Sequence, residues 1–155
     1  FEPKRRLIAA PEFRDRVVHR AVYNILEPLF NRTYINDSYA CRKGKGTHKG
    51  MQKAKQLIRS ITKSGNTPYA LKADISKYFS SIDHAVLKKI LASKMRCKRS
   101  LDLLFGIIDN SYSDKEGCGI PLGNLTSQMF ANIYLHELDF FVKQVLRAMA
   151  SISLG

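Results

Sequence analysis

The chain has 155 residues, 45% of them apolar, with 26 Lys or Arg against 13 Asp or Glu, a net charge of +13 and a pI of about 9.9. Length and apolar content fit one globular domain or two small lobes and exclude a disordered chain. The charge calls for a polyanionic partner, with nucleic acid ahead of a membrane surface, because no apolar run is long enough to span a bilayer and no secretory leader is visible.

The chain begins at Phe1 without Met, so a piece of a longer protein is expected. Cys41, Cys97 and Cys118 are odd in number and show no CxxC spacing, and the four histidines are scattered. A reducing, cytoplasmic setting is therefore expected, with neither a disulfide framework nor a structural zinc site.

KRRLIAA, residues 4–10, reads as a short basic strand ending before Pro11. From Glu12, the positions Val17, Val18, Ala21, Val22, Ile25, Leu26, Leu29 and Phe30 recur at helical spacing, and Pro28 predicts a kink or an end near Glu27. Arg14, Arg16 and Arg20 lie off that stripe, on a solvated face that can also meet phosphate. SYACRKGKGTHKG, residues 38–50, is a basic loop punctuated by glycine. Its glycines let backbone N–H groups approach an anion, and Arg42, Lys43, Lys45 and Lys49 add charge. It is not a Walker A loop, since GxxxxGK[ST] is absent.

A second amphipathic helix follows, carrying Met51, Ala54, Leu57, Ile58 and Ile61. Between Asp37 and Asp74 there is no acidic residue and there are nine Lys or Arg. A solvated helix usually mixes signs, so a run of one sign favours a phosphate-facing surface. After the turn Ser64–Pro68, the residues Tyr69, Leu71, Ala73 and Ile75 alternate with Ala70, Lys72 and Asp74, which predicts a strand ending in a carboxylate. Asp83 is expected to cap the next helix rather than bind metal. Helices are predicted over 83–95 and 99–110, with a basic patch MRCKR at 95–99 between them. SYSDKEGCG, residues 111–119, reads as a loop, and about 123–148 as a long helix. The order fits an α+β fold better than a wound parallel sheet.

Two segments carry candidate chemistry. In ALKADISKYFSSIDH, Asp74 at a strand end is by pattern alone more often structural, and Phe79 more often a core aromatic. In so basic a chain, a carboxylate there can instead hold a divalent cation against a polyphosphate. In GIPLGNLTSQMFANIYL, a glycine turn opens a long helix and permits close approach of a nucleotide or base pair.

Together these segments resemble the bacterial reverse transcriptases, in order and over nearly the whole chain to about residue 142. RLIAAPEFRDRVVHRAVYNILEPLF is similar to their fingers segment, SYACRKGKGTHKG to its basic continuation, ALKADISKYFSSIDH to the first catalytic palm motif and GIPLGNLTSQMFANIYL to the palm motif that opens a long helix. The resemblance implies an RNA-directed DNA polymerase acting by two-metal phosphoryl transfer with two Mg²⁺ ions. Its fold would be the fingers and partial palm of a right hand, helix-rich with a small antiparallel sheet. Fingers would cover 1–67, palm 68–83, a fingers/palm insertion 84–118 and palm again 119–150.

Residue by residue, the resemblance makes Asp74 the metal ligand and Ile75 a backbone contact to metal or triphosphate. Phe79 becomes the gate that crowds a ribose 2′-OH. Lys4, Arg6 and Arg42 would contact triphosphate or template, and Leu122 and Gly123 would line the nascent base-pair pocket. Arg14, Arg16, Lys43, Lys45 and Lys49 would meet nucleic acid. The implied partners are an RNA template, a DNA or RNA primer and a dNTP.

Two departures shape the expectations. Many reverse transcriptases, group II intron enzymes among them, have Gln-Gly and then Ser-Pro where this chain has Leu122-Gly123 and, later, Ser127-Gln128. That form is typical of diversity-generating retroelement enzymes, which copy with errors at adenine and use a small basic accessory protein. The aromatic-x-Asp-Asp hairpin expected after the long helix is absent. The 155 residues are therefore expected not to polymerise alone, and exposed apolar surface is expected to promote self-association. Alternatives are a group II intron reverse transcriptase with a maturase role and a non-catalytic RNA-binding module.

Overall fold

Apolar residues at helical spacing set the architecture of the computed structural model, which describes residues 10–111, 115–146 and 152. Among the described residues, six α-helices run in the order α1 Phe13–Asn31, α2 Thr47–Lys63, α3 Tyr78–Ser81, α4 His84–Lys94, α5 Lys98–Asp109 and α6 Leu125–Phe140, and one π-type turn, Phe141–Val145, follows α6. The reverse transcriptase-like expectation of a helix-rich chain is met. The expected small antiparallel sheet is not, because no strand forms among the described residues. The strand expected at 4–10 lies outside the described residues except for Ala10, which is exposed and irregular.

The strand expected at 69–75 is instead exposed, irregular chain. Tyr69 and Leu71, on its apolar face, are 92% and 95% exposed. A strand is stabilised by a neighbouring backbone and by one buried face. Here the alternation is written in the sequence, but no described backbone pairs with it. β-type pairing survives as an isolated antiparallel bridge between Asp83 and Cys118.

Other differences have local causes. Helix α1 does not end near Glu27 but runs through Pro28 to Asn31. Proline removes one intrahelical hydrogen bond, and the burial of Phe30 just beyond it offsets that loss. The last helix ends earlier than 148, in the π-type turn closed by Leu146 N–H on the Phe141 carbonyl at 3.0 Å; residues 147–150 lie outside the described set.

The chain divides into two compact units. One comprises the residues through Pro28 with Lys77–Tyr134; the other comprises Leu29–Ser76 with the residues from Leu135 on. The first holds most of the buried apolar side chains. Helices α4 and α5 pack on each other there, and Leu87 with Leu91 and Leu104 with Ile108, each pair one turn apart, are buried. Ile82, Ile120, Met129, Phe130 and Ile133 complete this core. Burying one such side chain contributes about 1.5–3 kcal/mol. In the second unit, Tyr39, Ala40, Ser38 and Gly50 are buried. The apolar stripe of α6 is buried at Phe130 and Ile133 but exposed at Leu138, and Phe141 and Val145 in the π-type turn are exposed as well.

Candidate functional site

In the first unit, the segment 78–84 and the segment 117–124 are stitched together. The His84 N–H donates to the Gly117 carbonyl at 2.9 Å, the Gly119 N–H to the Ile82 carbonyl at 2.7 Å and the Ile120 N–H to the Phe79 carbonyl at 2.9 Å. Side chains extend the seam. His84, 8% exposed, donates from Nε2 to the Gly119 carbonyl at 2.6 Å. The Tyr78 hydroxyl donates to the Ala131 carbonyl on α6 at 2.6 Å. The bonds to Gly117, Gly119 and Ile82 satisfy carbonyls outside any helix, while Tyr78 adds a second donor to a carbonyl within α6.

The seam fixes three candidate residues. Phe79, half-buried, sits in the short helix α3 with its ring edge-on to Tyr78, at 5.9 Å between centroids and 81° between planes. Its own carbonyl receives Ile120, two residues before Leu122. Leu122 and Gly123 form the turn that enters α6; Leu122 is half-buried and Gly123 exposed, with φ at 112°. That left-handed conformation favours glycine, which is the local reason this position carries no side chain. Just inside the helix, Thr126 and Ser127 are buried. Thr126 Oγ1 lies 2.8 Å from Nδ1 of His19 on α1, and burial lowers the His19 pKa against the opposing effect of Asp15. Asp83 caps α4, its carboxylate accepting the Val86 N–H at 2.9 Å, as the sequence led us to expect.

The second unit holds the basic loop and Asp74. Arg42 organises the loop from within. Its Nε donates to Asn31 Oδ1 at 2.8 Å, Nη1 to the Ile35 and Ser38 carbonyls at 2.9 and 2.8 Å, and Nη2 to the Asn31 carbonyl at 3.3 Å. The guanidinium lies 5.2 Å from the Tyr34 ring centroid. This geometry gives Arg42 a structural role that its charge alone did not disclose. Lys45 donates to the Asn36 carbonyl at 2.7 Å and lies 5.0 Å from the Tyr39 ring centroid; Lys49 donates to the Gly44 carbonyl at 2.6 Å. An ammonium has three donors, so one such bond leaves capacity for phosphate. Lys43 is exposed. Lys143 pairs with Asp37 at 3.0 Å.

Asp74 and Ile75 are exposed, in irregular chain, and belong to this second unit. Arg14 and Arg16 are exposed on α1 in the first, with the Arg16 guanidinium 5.8 Å from the Phe13 ring centroid. Lys4 and Arg6 lie outside the described residues. Among the described residues no three His, Cys, Asp or Glu side chains converge as a metal site. Asp74 as a lone carboxylate does not fit a pair of divalent cations, which need several oxygen ligands. No described helix is long and apolar enough to cross a membrane.

Sequence reasoning missed the seam and its histidine. The contacts His84–Gly119 and His19–Thr126 span 35 and 107 residues, and no local periodicity encodes them. The available signal was a polar residue, His84, opening a helix whose buried side otherwise carries Leu87 and Leu91.

Comparison with known proteins bears on the same segments. The family described as reverse transcriptase (RNA-dependent DNA polymerase) matches residues 2–152. The group II intron-encoded protein LtrA of Lactococcus lactis subsp. cremoris is 29% identical over 147 residues, 92% of this chain and 24% of that protein. Protein YkfC of Escherichia coli (strain K12) is 28% identical over 148 residues, 91% of this chain and 38% of that protein. Nuclear intron maturase 1, mitochondrial, of Arabidopsis thaliana is 30% identical over 116 residues, 72% of this chain and 15% of that protein. The chain thus spans well under half of each of these relatives.

Proposed function

Because the chain belongs to the reverse transcriptase (RNA-dependent DNA polymerase) family, we propose that it forms the fingers and part of the palm of an enzyme that extends a primer with dNTPs along an RNA template. One observation carries this reading beyond the family match: the seam that holds Phe79 and the Leu122-Gly123 turn in one packed unit. A gate residue and a base-pair pocket must be fixed relative to one another for either to discriminate nucleotides. In the proposal, Phe79 crowds the ribose 2′ position, and Leu122 and Gly123 face the nascent base pair. Lys4, Arg6 and the lysines of the basic loop meet phosphate.

Family membership implies a divalent metal ion, with Mg²⁺ as the proposed species and Asp74 as one proposed ligand. Since Asp74 alone does not fit such a site, no step is assigned to metal here. What the described residues do is position: they hold the gate, the pocket turn and a cationic loop.

The test is primer extension on an RNA template by the full-length parent enzyme. Phe79→Val is expected to raise ribonucleotide incorporation at least tenfold relative to dNTP incorporation, a discrimination change of about 1.4 kcal/mol. Unchanged discrimination would remove the gate role, and no extension by the parent would leave the RNA-binding module as the better reading.

A second reading concerns the kind of element. The relatives favour a group II intron setting, whereas Leu122-Gly123 with Ser127-Gln128 favours a diversity-generating retroelement. An aliphatic Leu122 cannot hydrogen-bond near the incoming nucleotide, so pairing would be policed less tightly. Leu122→Gln in the parent enzyme should then lower misincorporation at template adenine; an unchanged error spectrum argues for the intron reading. A basic accessory protein belongs only to the second reading.

A further inference from the structure

Between Asp83 and Asp102 the chain carries six Lys or Arg and no acidic residue. Lys88 is accounted for, paired with Asp109 and 5.5 Å from the Phe105 ring centroid. The other five, Lys89, Lys94, Arg96, Lys98 and Arg99, are exposed, and none forms an ion pair among the described residues. Four of them gather at the corner where α4 passes into α5: Lys94 ends α4, Arg96 lies in the three-residue link, and Lys98 and Arg99 open α5. Cations in the first turn of a helix are opposed by its dipole, and α5 has neither an acidic residue in that turn nor a side-chain cap at Cys97 to relieve them. Like charges held this close repel in the absence of a counter-charge. The corner also stands apart from the seam, at the other end of α4, whose 11 residues span about 16 Å.

Resting on the polymerase reading above, we propose that the α4–α5 corner is a second RNA-backbone contact surface of this chain, with Lys94, Arg96, Lys98 and Arg99 as its phosphate ligands. Arg96 and Arg99 can engage phosphate bidentately, while the two lysines act as point charges. Phosphate contacts carry no sequence information directly, so the contribution of these four side chains is sequence-independent and salt-dependent. It belongs to the unit of the seam, whereas the basic loop at 42–49 belongs to the other unit.

The experiment measures binding of a fluorescein-labelled single-stranded RNA of mixed sequence by anisotropy, from about 50 to about 200 mM salt. The proteins are the 155-residue chain and its Arg96→Gln/Lys98→Gln/Arg99→Gln variant. Removing one phosphate-neutralising side chain lowers the log–log salt slope by about 0.7, so the variant's slope should be shallower by about 2. A fourfold rise in salt should then weaken the variant's binding about twentyfold less than the parent's. All three side chains are exposed, and circular dichroism confirms that the variant is folded.

Cys97 gives a second readout inside the patch. It is exposed, and its thiol pKa is lowered chiefly by the Ser100 side-chain hydrogen bond, which favours alkylation. RNA should slow maleimide labelling of Cys97 in the parent chain and not in the variant. Equal slopes, with Cys97 equally reactive with and without RNA, overturn the proposal. If a Lys43→Gln/Lys45→Gln/Lys49→Gln variant loses RNA binding in that same experiment, the polymerase reading stands and only the corner is wrong. No RNA binding by the parent chain overturns both. Shielding of Cys97 by phosphatidylserine vesicles but not by RNA assigns the corner to a membrane and overturns it as well.

Discussion

Replacing His84 with alanine tests whether the seam holds the candidate site together. The substitution removes the Nε2–H donor from the Gly119 carbonyl, which the backbone of the seam cannot replace because the Gly119 N–H and the neighbouring Ile120 N–H already serve Ile82 and Phe79. Leaving a buried acceptor unsatisfied costs about 1–3 kcal/mol. For a chain of this length each kcal/mol lowers the melting temperature by about 2–4 °C, so His84→Ala should melt about 2–12 °C below the parent. His84→Gln retains a side-chain N–H and should recover part of that loss. Thermal unfolding followed by circular dichroism gives the global value. Hydrogen exchange at the amides of Gly119 and Ile120 gives the local one, with faster exchange expected in the alanine variant. A melting temperature within about 1 °C of the parent, together with unchanged exchange at those amides, would falsify the assignment of His84 as the seam's fastener.

Four further outcomes are expected. Asp83→Ala should lose about 1 kcal/mol of stability through the missing cap on Val86, and Asp83→Asn should lose much less, both read from denaturant titration. Arg42→Lys should speed protease cleavage within residues 35–46, since an ammonium cannot reproduce the four bonds; equal cleavage rates contradict the structural role. His19 has a lowered pKa in the folded chain, so its native state resists protonation. Stability should be level above the unfolded value of 6.5, fall as pH drops below it and level off again below the folded value, and His19→Gln should remove that component of a pH–stability profile. Asp74→Asn should leave the melting temperature nearly unchanged, because the side chain is exposed; a marked destabilisation would make Asp74 structural after all.

The longer helices were legible because each has an apolar face with its own period, whereas the single turn of α3, Tyr78–Ser81, is too short to show one and was not foreseen. Leu87 and Leu91, or Leu104 and Ile108, announce themselves one turn apart. The Asp83 cap was legible for the same reason, since a capping carboxylate acts within three residues. The strand at 69–75 was legible as a pattern and still does not form, because pairing depends on a second backbone and not on alternation alone. Arg42 was read by its charge as a ligand for phosphate, whereas its surroundings supply four carbonyl or amide oxygens from residues 31–38. His84 and His19 were out of reach, since each meets its partner across a long stretch of chain.

The bridge between Asp83 and Cys118 closes a detour in the chain: everything from α4 through α5 leaves and returns at one pinned base. Closing a longer loop at a fixed base costs only slowly increasing entropy. The detour's length is therefore nearly decoupled from the geometry of Phe79 and the Leu122-Gly123 turn. New peptide spliced in near the α4–α5 link would hang from that base without moving the pocket. This makes the link the natural place for length variation among proteins that otherwise share this seam, at the expense of the phosphate contacts proposed for the corner.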